Sequence, residues 1–255
     1  MSDALAAPRP APGVADGLRV PLVGVRHVLA HPSTWPLLVL PTCITVVMFV
    51  VALVVAWTAV PWLMGLVWVP GPTNGAVVHL LYAFVANLLR ALFLLVVGVT
   101  LYFTAGLVAV PFNDRLSAHV EQAVLGRDPS APFDWRDVPI SVAHSALALA
   151  LWLPVMLGLW SLELVPVLGS LLHLLLSTLA TSFFLGRELM DGAMSRRRWA
   201  FRDKLAFVWR HRGPALAMGA VASLLLAVPL LNGLFLPVLI AGGTELFLRL
   251  EASEA

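Results

Sequence analysis

Few positions in this chain could do chemistry. Arg90 is the only formal charge in the apolar run at residues 77–110, and Asn87 lies one helical turn before it. A guanidinium in such a setting either holds an anion or extends its polar head to the membrane–water boundary. Both readings stand, because Arg90 precedes Val110 by about 20 residues, or ~30 Å of helix. If Val110 marks one boundary, Arg90 marks the other. Glu163 is a lone carboxylate beside a Pro/Gly-rich break, free to be protonated, to pair with Arg90 or to reach water. Arg26 and His27 stand one to two turns ahead of Ser33 and Thr34. Ser33 and Thr34 can cap a helix, and the free amides of a helix start can hold an anion.

Other chemistries lack their residues. His79, His144 and His173 are scattered, without HExxH or paired-ligand spacing, so no metal site is expected. Cys43 is the single cysteine, which allows no intrachain disulfide and no CxxC motif. There is no GxSxG elbow, no Walker loop and no GxGxxG after a strand. The pattern points to no enzyme, no cofactor and no ATP site, so any transport would be passive or ion-coupled. Arg196, Arg197 and Arg198 read as a topology anchor or as a contact for anionic lipid head groups. Their place between apolar blocks argues against nucleic acid. Glu245 reads as the polar end of a helix.

The elements that must position these residues are hydrophobic. Of 255 residues, 60% are apolar and 12% charged, where soluble domains carry about 25% charged. Mean hydropathy is +0.92. A lipid environment explains that balance. Residues 1–16, rich in proline, read as a disordered tail, and no cleaved signal peptide follows. Residues 37–60 form an uncharged run long enough to cross a ~30 Å core. An uncharged connector, 61–75, carries Trp62 and Trp68, as an interfacial belt does. Residues 77–110 form a second, overlong span, and 111–139 a cytoplasmic segment containing an amphipathic helix.

Two apolar hairpins follow, at 142–185 and 214–248, separated by a basic loop at 187–213. Each breaks at an apolar-Pro-apolar-apolar-Gly/Asn tip, where proline would end the incoming helix and Gly169 or Asn232 would turn the chain. The arm at 214–228 would reach only about 22 Å as helix, so the second hairpin reads as re-entrant. Residues 251–255 form a short tail. The expected fold is therefore an all-α integral membrane protein of two long transmembrane helices plus two helical hairpins. Arg9, Arg19, Arg26 and the later arginines place both termini in the cytoplasm, with the cation-free connector outside.

Several short motifs recur in one order. They are Val110-Pro111-Phe112-Asn113-Asp114 through Val120-Glu121, Asp137-Val138-Pro139, and Val165 to Gly169. Later come Val228-Pro229-Leu230-Leu231-Asn232, Leu236-Pro237 and Gly242-Gly243-Thr244. In order and spacing, from about Gly24 to Leu248, the chain resembles the CysZ-type sulfate permeases of the etoposide-induced-protein-like membrane family. The resemblance implies two long transmembrane helices with partly inserted hairpins, a homo-oligomer in the bacterial inner membrane, and passage of sulfate or another small anion. It marks Pro111, Phe112, Asn113, Glu121, Pro229, Asn232, Pro237, Gly242 and Thr244 as family positions. That family carries Pro-Gly-Leu-Arg-Arg before its first span. Here the stretch is Pro32-Ser33-Thr34-Trp35-Pro36, without the two arginines, and Arg26 and His27 are the substitute cations. The leading expectation is a small-anion permease. The alternative is a membrane scaffold whose arginines engage lipids or partners.

Overall fold

The computed structural model describes residues 11–67, 69–126, 138–165, 168–227 and 229–254. Among these residues every regular element is helical. The helices are α1 (Val14–Leu18), α2 (Val20–Ala30), α3 (Trp35–Val67), α4 (Ala76–Leu125), α5 (Val138–Trp160), α6 (Leu168–Arg196), α7 (Phe201–Arg210), α8 (Arg212–Leu226) and α9 (Pro229–Ala252). Four stretches are long and apolar enough to cross a bilayer: Pro32–Val67, Ala76–Thr100, Ala143–Leu164 and Leu168–Arg196. Leucines along α5 and α6, such as Leu153 and Leu171, face outward. Outward leucines are costly in water and fitting in lipid. The protein is an all-α integral membrane protein.

The chain forms two units, one of residues 39–110 and one of residues 1–38 with 111–255. In the smaller unit the α3 and α4 segments meet around Val60, Met64 and Ala86, with Tyr82 and Val85 beside them. In the larger unit, close helix crossings depend on glycine. A Cβ on Gly24 would lie 1.9 Å from the Val238 carbonyl oxygen, and one on Gly242 would lie 2.3 Å from that of Val20. These two contacts set α2 antiparallel against α9. Gly186 and Gly219 do the same for α6 and α8, with Cβ positions 2.4 and 1.8 Å from the carbonyl oxygens of Ala215 and Ser182. Small residues let backbones approach where lipid tails supply no hydrophobic drive between helices. Met190, Met194, Phe207, Met218 and Phe247 fill the core between them.

Several boundaries differ from the sequence expectation. The first long helix continues through the expected connector to Val67. Pro61 lies inside this helix without ending it. The second span and the amphipathic segment are one helix of 50 residues with Pro111 inside it. The tail is not wholly irregular: α1 starts at Val14, where Asp16 accepts the Gly13 amide at 2.8 Å, and Gly17 packs on Pro214. Residues 1–10 lie outside the described residues, as do 127–137. The basic loop is mostly helix, formed by the end of α6 and by α7.

The hairpin tips also differ. Pro229 opens α9, as proline does at a first helical position, and the backbone of Asn232 is already helical. In the first hairpin a 3-10 turn, Ser161–Leu164, makes the bend, while Gly169 sits in the first turn of α6. Its Cβ would meet the Leu162 carbonyl oxygen at 1.8 Å, so it serves a close approach and not a turn. The remaining residues of the two breaks, 166–167 and 228, are outside the described residues. Helix α8 has 15 residues, about 22 Å.

Candidate functional site

Three groups of the expected residues can be built upward from their helices. The first lies in the smaller unit. Arg90 Nη1 donates to Asn87 Oδ1 at 2.8 Å, across one turn of α4. The guanidinium carbon sits 5.0 Å over the Trp57 ring of α3. Arg90 Nε is buried and has no hydrogen-bond partner, and its own unit, residues 39–110, contains no Asp or Glu. An asparagine and an aromatic face therefore orient this cation without neutralising it. The arrangement can hold an anion inside an apolar span. Trp57 was not visible as a partner from sequence, because only the helix–helix register brings it to Arg90.

The second group surrounds the start of α3. Arg26 and Ser33 are exposed. Thr34 is fully buried, and its hydroxyl donates back to the His31 carbonyl oxygen at 2.8 Å, so it does not cap α3. The Trp35 amide is spent on the Pro32 carbonyl, and Pro36 has none to offer. Trp35 Nε1 donates to the Val28 carbonyl oxygen at 3.1 Å. The segment thus uses most of its donors on its own backbone. His27 is buried, stacked on His31 at 4.5 Å, with Nε2 unpartnered. Burial first, then the neighbouring His31 and His119, push its pKa below 6.5, against the pull of Glu245. This disfavours the charged form of His27 and leaves Arg26 as the stronger cation of the pair.

The third group is a buried ionic clasp in the larger unit. Asp114, Ser117 and Glu121 share one face of α4 at i, i+3 and i+7 spacing. Arg196, from the end of α6, reaches all three: Asp114 Oδ1 at 2.9 Å, Ser117 Oγ at 2.8 Å and Glu121 Oε2 at 3.0 Å. The Ser117 hydroxyl lies 2.7 Å from that of Thr244 on α9. Arg197 joins Glu121 at 3.0 Å and Glu251 at 2.6 Å, with its guanidinium 4.8 Å over Phe247. Each charge is paired, which offsets the cost of taking it from water. Two family-motif positions, Glu121 and Thr244, meet here; Pro111, Phe112 and Asn113 lie on the same helix upstream. Pro237 and Gly242 shape α9, and the Asn232 side chain lies outside the described residues.

The arginine cluster, read from sequence as a topology anchor or a lipid head-group contact, divides between this clasp and the surface. Arg196 and Arg197 are committed inside the protein, and of the three only Arg198 is exposed. A neighbouring network was missed entirely. Arg187, with no exposed surface, bonds Glu188 at 2.8 Å and Asp191 at 2.6 Å. Lys204 on α7 reaches Asp191 at 2.9 Å, Ser195 at 2.7 Å and His144 at 3.3 Å. Burial holds the Lys204 ammonium below the usual lysine range, opposed by Asp191. The i, i+4 spacing of Arg187 and Asp191 was the available signal.

Glu163 is exposed in the 3-10 turn of the first hairpin. Glu245 pairs with Arg249 one turn later on α9. Among the described residues no three His, Cys, Asp or Glu side chains stand close enough to hold a metal ion.

Residues 21–237 match the family model described as sulfate transporter CysZ/etoposide-induced protein 2.4. The chain belongs to this family. A sulfate transporter CysZ of Pseudomonas fluorescens Pf-5 is 32% identical over 149 residues, covering 57% of this chain and 59% of that protein. One of Pseudomonas aeruginosa LESB58 is 30% identical over 181 residues, covering 68% of this chain and 73% of that protein. One of Vibrio parahaemolyticus is 29% identical over 146 residues, at 56% and 59% coverage. The chain therefore spans about three fifths of the length of the first and third of these relatives. As a member of this family, the protein combines long apolar helices with few placed polar groups.

Proposed function

We propose that this protein is a permease or channel for sulfate or a similar small anion in the bacterial inner membrane. The observation that carries the reading is Arg90, an unpaired guanidinium held by Asn87 and Trp57 inside a membrane span. A dianion crossing a low-dielectric core faces a large desolvation cost, and a fixed cation lowers it. Residues 39–110, the unit that holds Arg90, contain no Asp or Glu to neutralise it, which leaves its charge to a passing anion. Arg26 and Ser33, both exposed near the start of α3, supply a cation and a hydroxyl at the cytoplasmic end of that helix. The names of the relatives support sulfate as the first anion to try.

The topology follows the same reading. Four candidate spans return the chain to the side where it began. Both termini and the arginine-rich α6–α8 region face the cytoplasm. Helix α8 is too short to cross a ~30 Å core, so the α8–α9 hairpin enters the membrane without crossing it. The protein works as a homo-oligomer among membrane lipids, moves its anion without ATP, and catalyses no covalent step.

The test is uptake of labelled sulfate into proteoliposomes. Saturable uptake above protein-free vesicles, competed by unlabelled sulfate and not by chloride, is the expected result. Vesicles holding folded protein that take up no more sulfate than empty ones would overturn the assignment.

A further inference from the structure

Helix α7 has two faces with different tasks. Phe201, Lys204, Phe207 and Val208 are buried in the core. On the other side Arg202, Leu205, Ala206 and Trp209 follow one another at i, i+3/i+4, i+7 spacing and lie at the surface. Trp209 is 62% exposed. A water-facing helix has no need for Leu and Trp there, whereas a helix lying in a membrane interface does.

Between this face and the middle of α6 lies a groove of about 480 Å³, lined by Phe183, Phe184, Leu205, Ala206, Trp209 and Arg210. Its walls are apolar and its rim is cationic. Phe183 meets the edge of the Trp209 ring at 6.0 Å, and the Arg212 guanidinium lies 5.8 Å from that ring. Arg212 has no ion-pair partner among the described residues. Arg210 keeps a 3.2 Å contact with Glu254 while its side chain stays 60% exposed. Asp203 and His211 are the other titratable groups on this stretch.

The groove continues an existing surface. Leu172, Leu176 and Leu179 are exposed on α6 and share one helical face with Phe183. From Leu172 to Phe183 that stripe is about 16 Å long, close to the depth of one leaflet, half of a ~30 Å core.

We propose that this groove binds one anionic phospholipid. An acyl chain lies along the α6 stripe and into the groove, and the phosphate rests between Arg210 and Arg212. Charge complementarity selects the occupant: an apolar channel suits any lipid tail, whereas an unpaired guanidinium at its mouth favours an anionic head group. The site is independent of the anion pathway.

The experiment uses the full-length protein in phosphatidylcholine vesicles. A small fraction of lipid is replaced by acyl-brominated phosphatidylglycerol or by acyl-brominated phosphatidylcholine. Subtracting the Trp209→Phe variant isolates Trp209 emission. The brominated phosphatidylglycerol should quench that component at a several-fold lower mole fraction, saturably, and free phosphate should not compete. Arg212→Gln should remove roughly a fivefold preference, while Arg198→Gln, at an exposed arginine that does not line the groove, should leave it intact. Equal quenching by the two lipids, or an unchanged preference in Arg212→Gln, would overturn the proposal. So would quenching by neither lipid together with a change in oligomeric mass in Trp209→Ala, which would give the groove to a second copy of the chain.

Discussion

Arg196 and Arg90 carry the same charge in opposite surroundings. Arg196 is almost fully buried and paired with Asp114 and Glu121. Removing it breaks two of the clasp's ion pairs and leaves Glu121, 3% exposed, with Arg197 as its one remaining cation. Arg196→Gln should therefore cost about 3–5 kcal/mol, read as a large fall in the thermal midpoint of the purified protein. An unchanged midpoint would mean that the clasp carries no stability. His27 adds a pH term at the same scale. Its pKa is depressed in the fold below 6.5, so the unfolded chain binds the extra proton first. Stability is full above pH 6.5 and should fall as pH drops below it. His27→Asn should flatten that slope between pH 6.5 and 5, and a parallel slope in both proteins would contradict the assignment. Half of the clasp was legible in the sequence. Asp114, Ser117 and Glu121 show their common face by spacing alone, but their partner Arg196 stands 75 residues beyond Glu121. Only the packing of α6 on α4 brings it there, and local patterns do not encode packing partners.

At the scale of elements, the glycines decide which helices approach. Gly219→Ala would drive a Cβ into the Ser182 carbonyl oxygen at 1.8 Å. Backbone cannot yield as a side-chain tip can, so a loss of about 1–3 kcal/mol or more is expected. Gly98→Ala meets nothing within 4 Å and should be neutral or slightly stabilising by helix propensity, up to ~1 kcal/mol. Thermal midpoints of the two variants check both, and a Gly219→Ala protein as stable as Gly98→Ala would contradict the crossing. The apolar runs made the helices legible, because hydropathy reports burial or lipid contact directly. Boundaries were less so. The two apolar runs were bounded at residues 60 and 110, just before Pro61 and Pro111, yet both helices run past these prolines. A lost hydrogen bond of a few kcal/mol does not break a helix where the membrane forbids exposed backbone. Pro229 likewise starts its helix instead of ending the previous one.

For the whole molecule, sidedness is the property on which transport depends. The connector residues 69–75 carry no charge, while the α6–α8 region carries seven arginines and Lys204. After replacement of the exposed Cys43 by serine, a cysteine at Thr73 should react with an impermeant maleimide added to intact cells. One at Arg198 should react only after lysis. The reverse pattern would invert the topology. The family was legible from short motifs at fixed order, whereas the pairing of Arg90 with Trp57 was not, since it needs the register of two long helices. The account rests on that cation, so the most direct measurement compares sulfate uptake by the native protein and by Arg90→Ala in proteoliposomes of equal protein content. Elution volume and helicity would be matched beforehand. The account predicts that the native protein takes up sulfate and that Arg90→Ala loses at least about tenfold of that rate, as expected for ~1.4 kcal/mol or more of lost anion stabilisation. An Arg90→Ala protein that transports sulfate at the native rate would contradict it and leave Arg90 as a side chain reaching for the membrane surface.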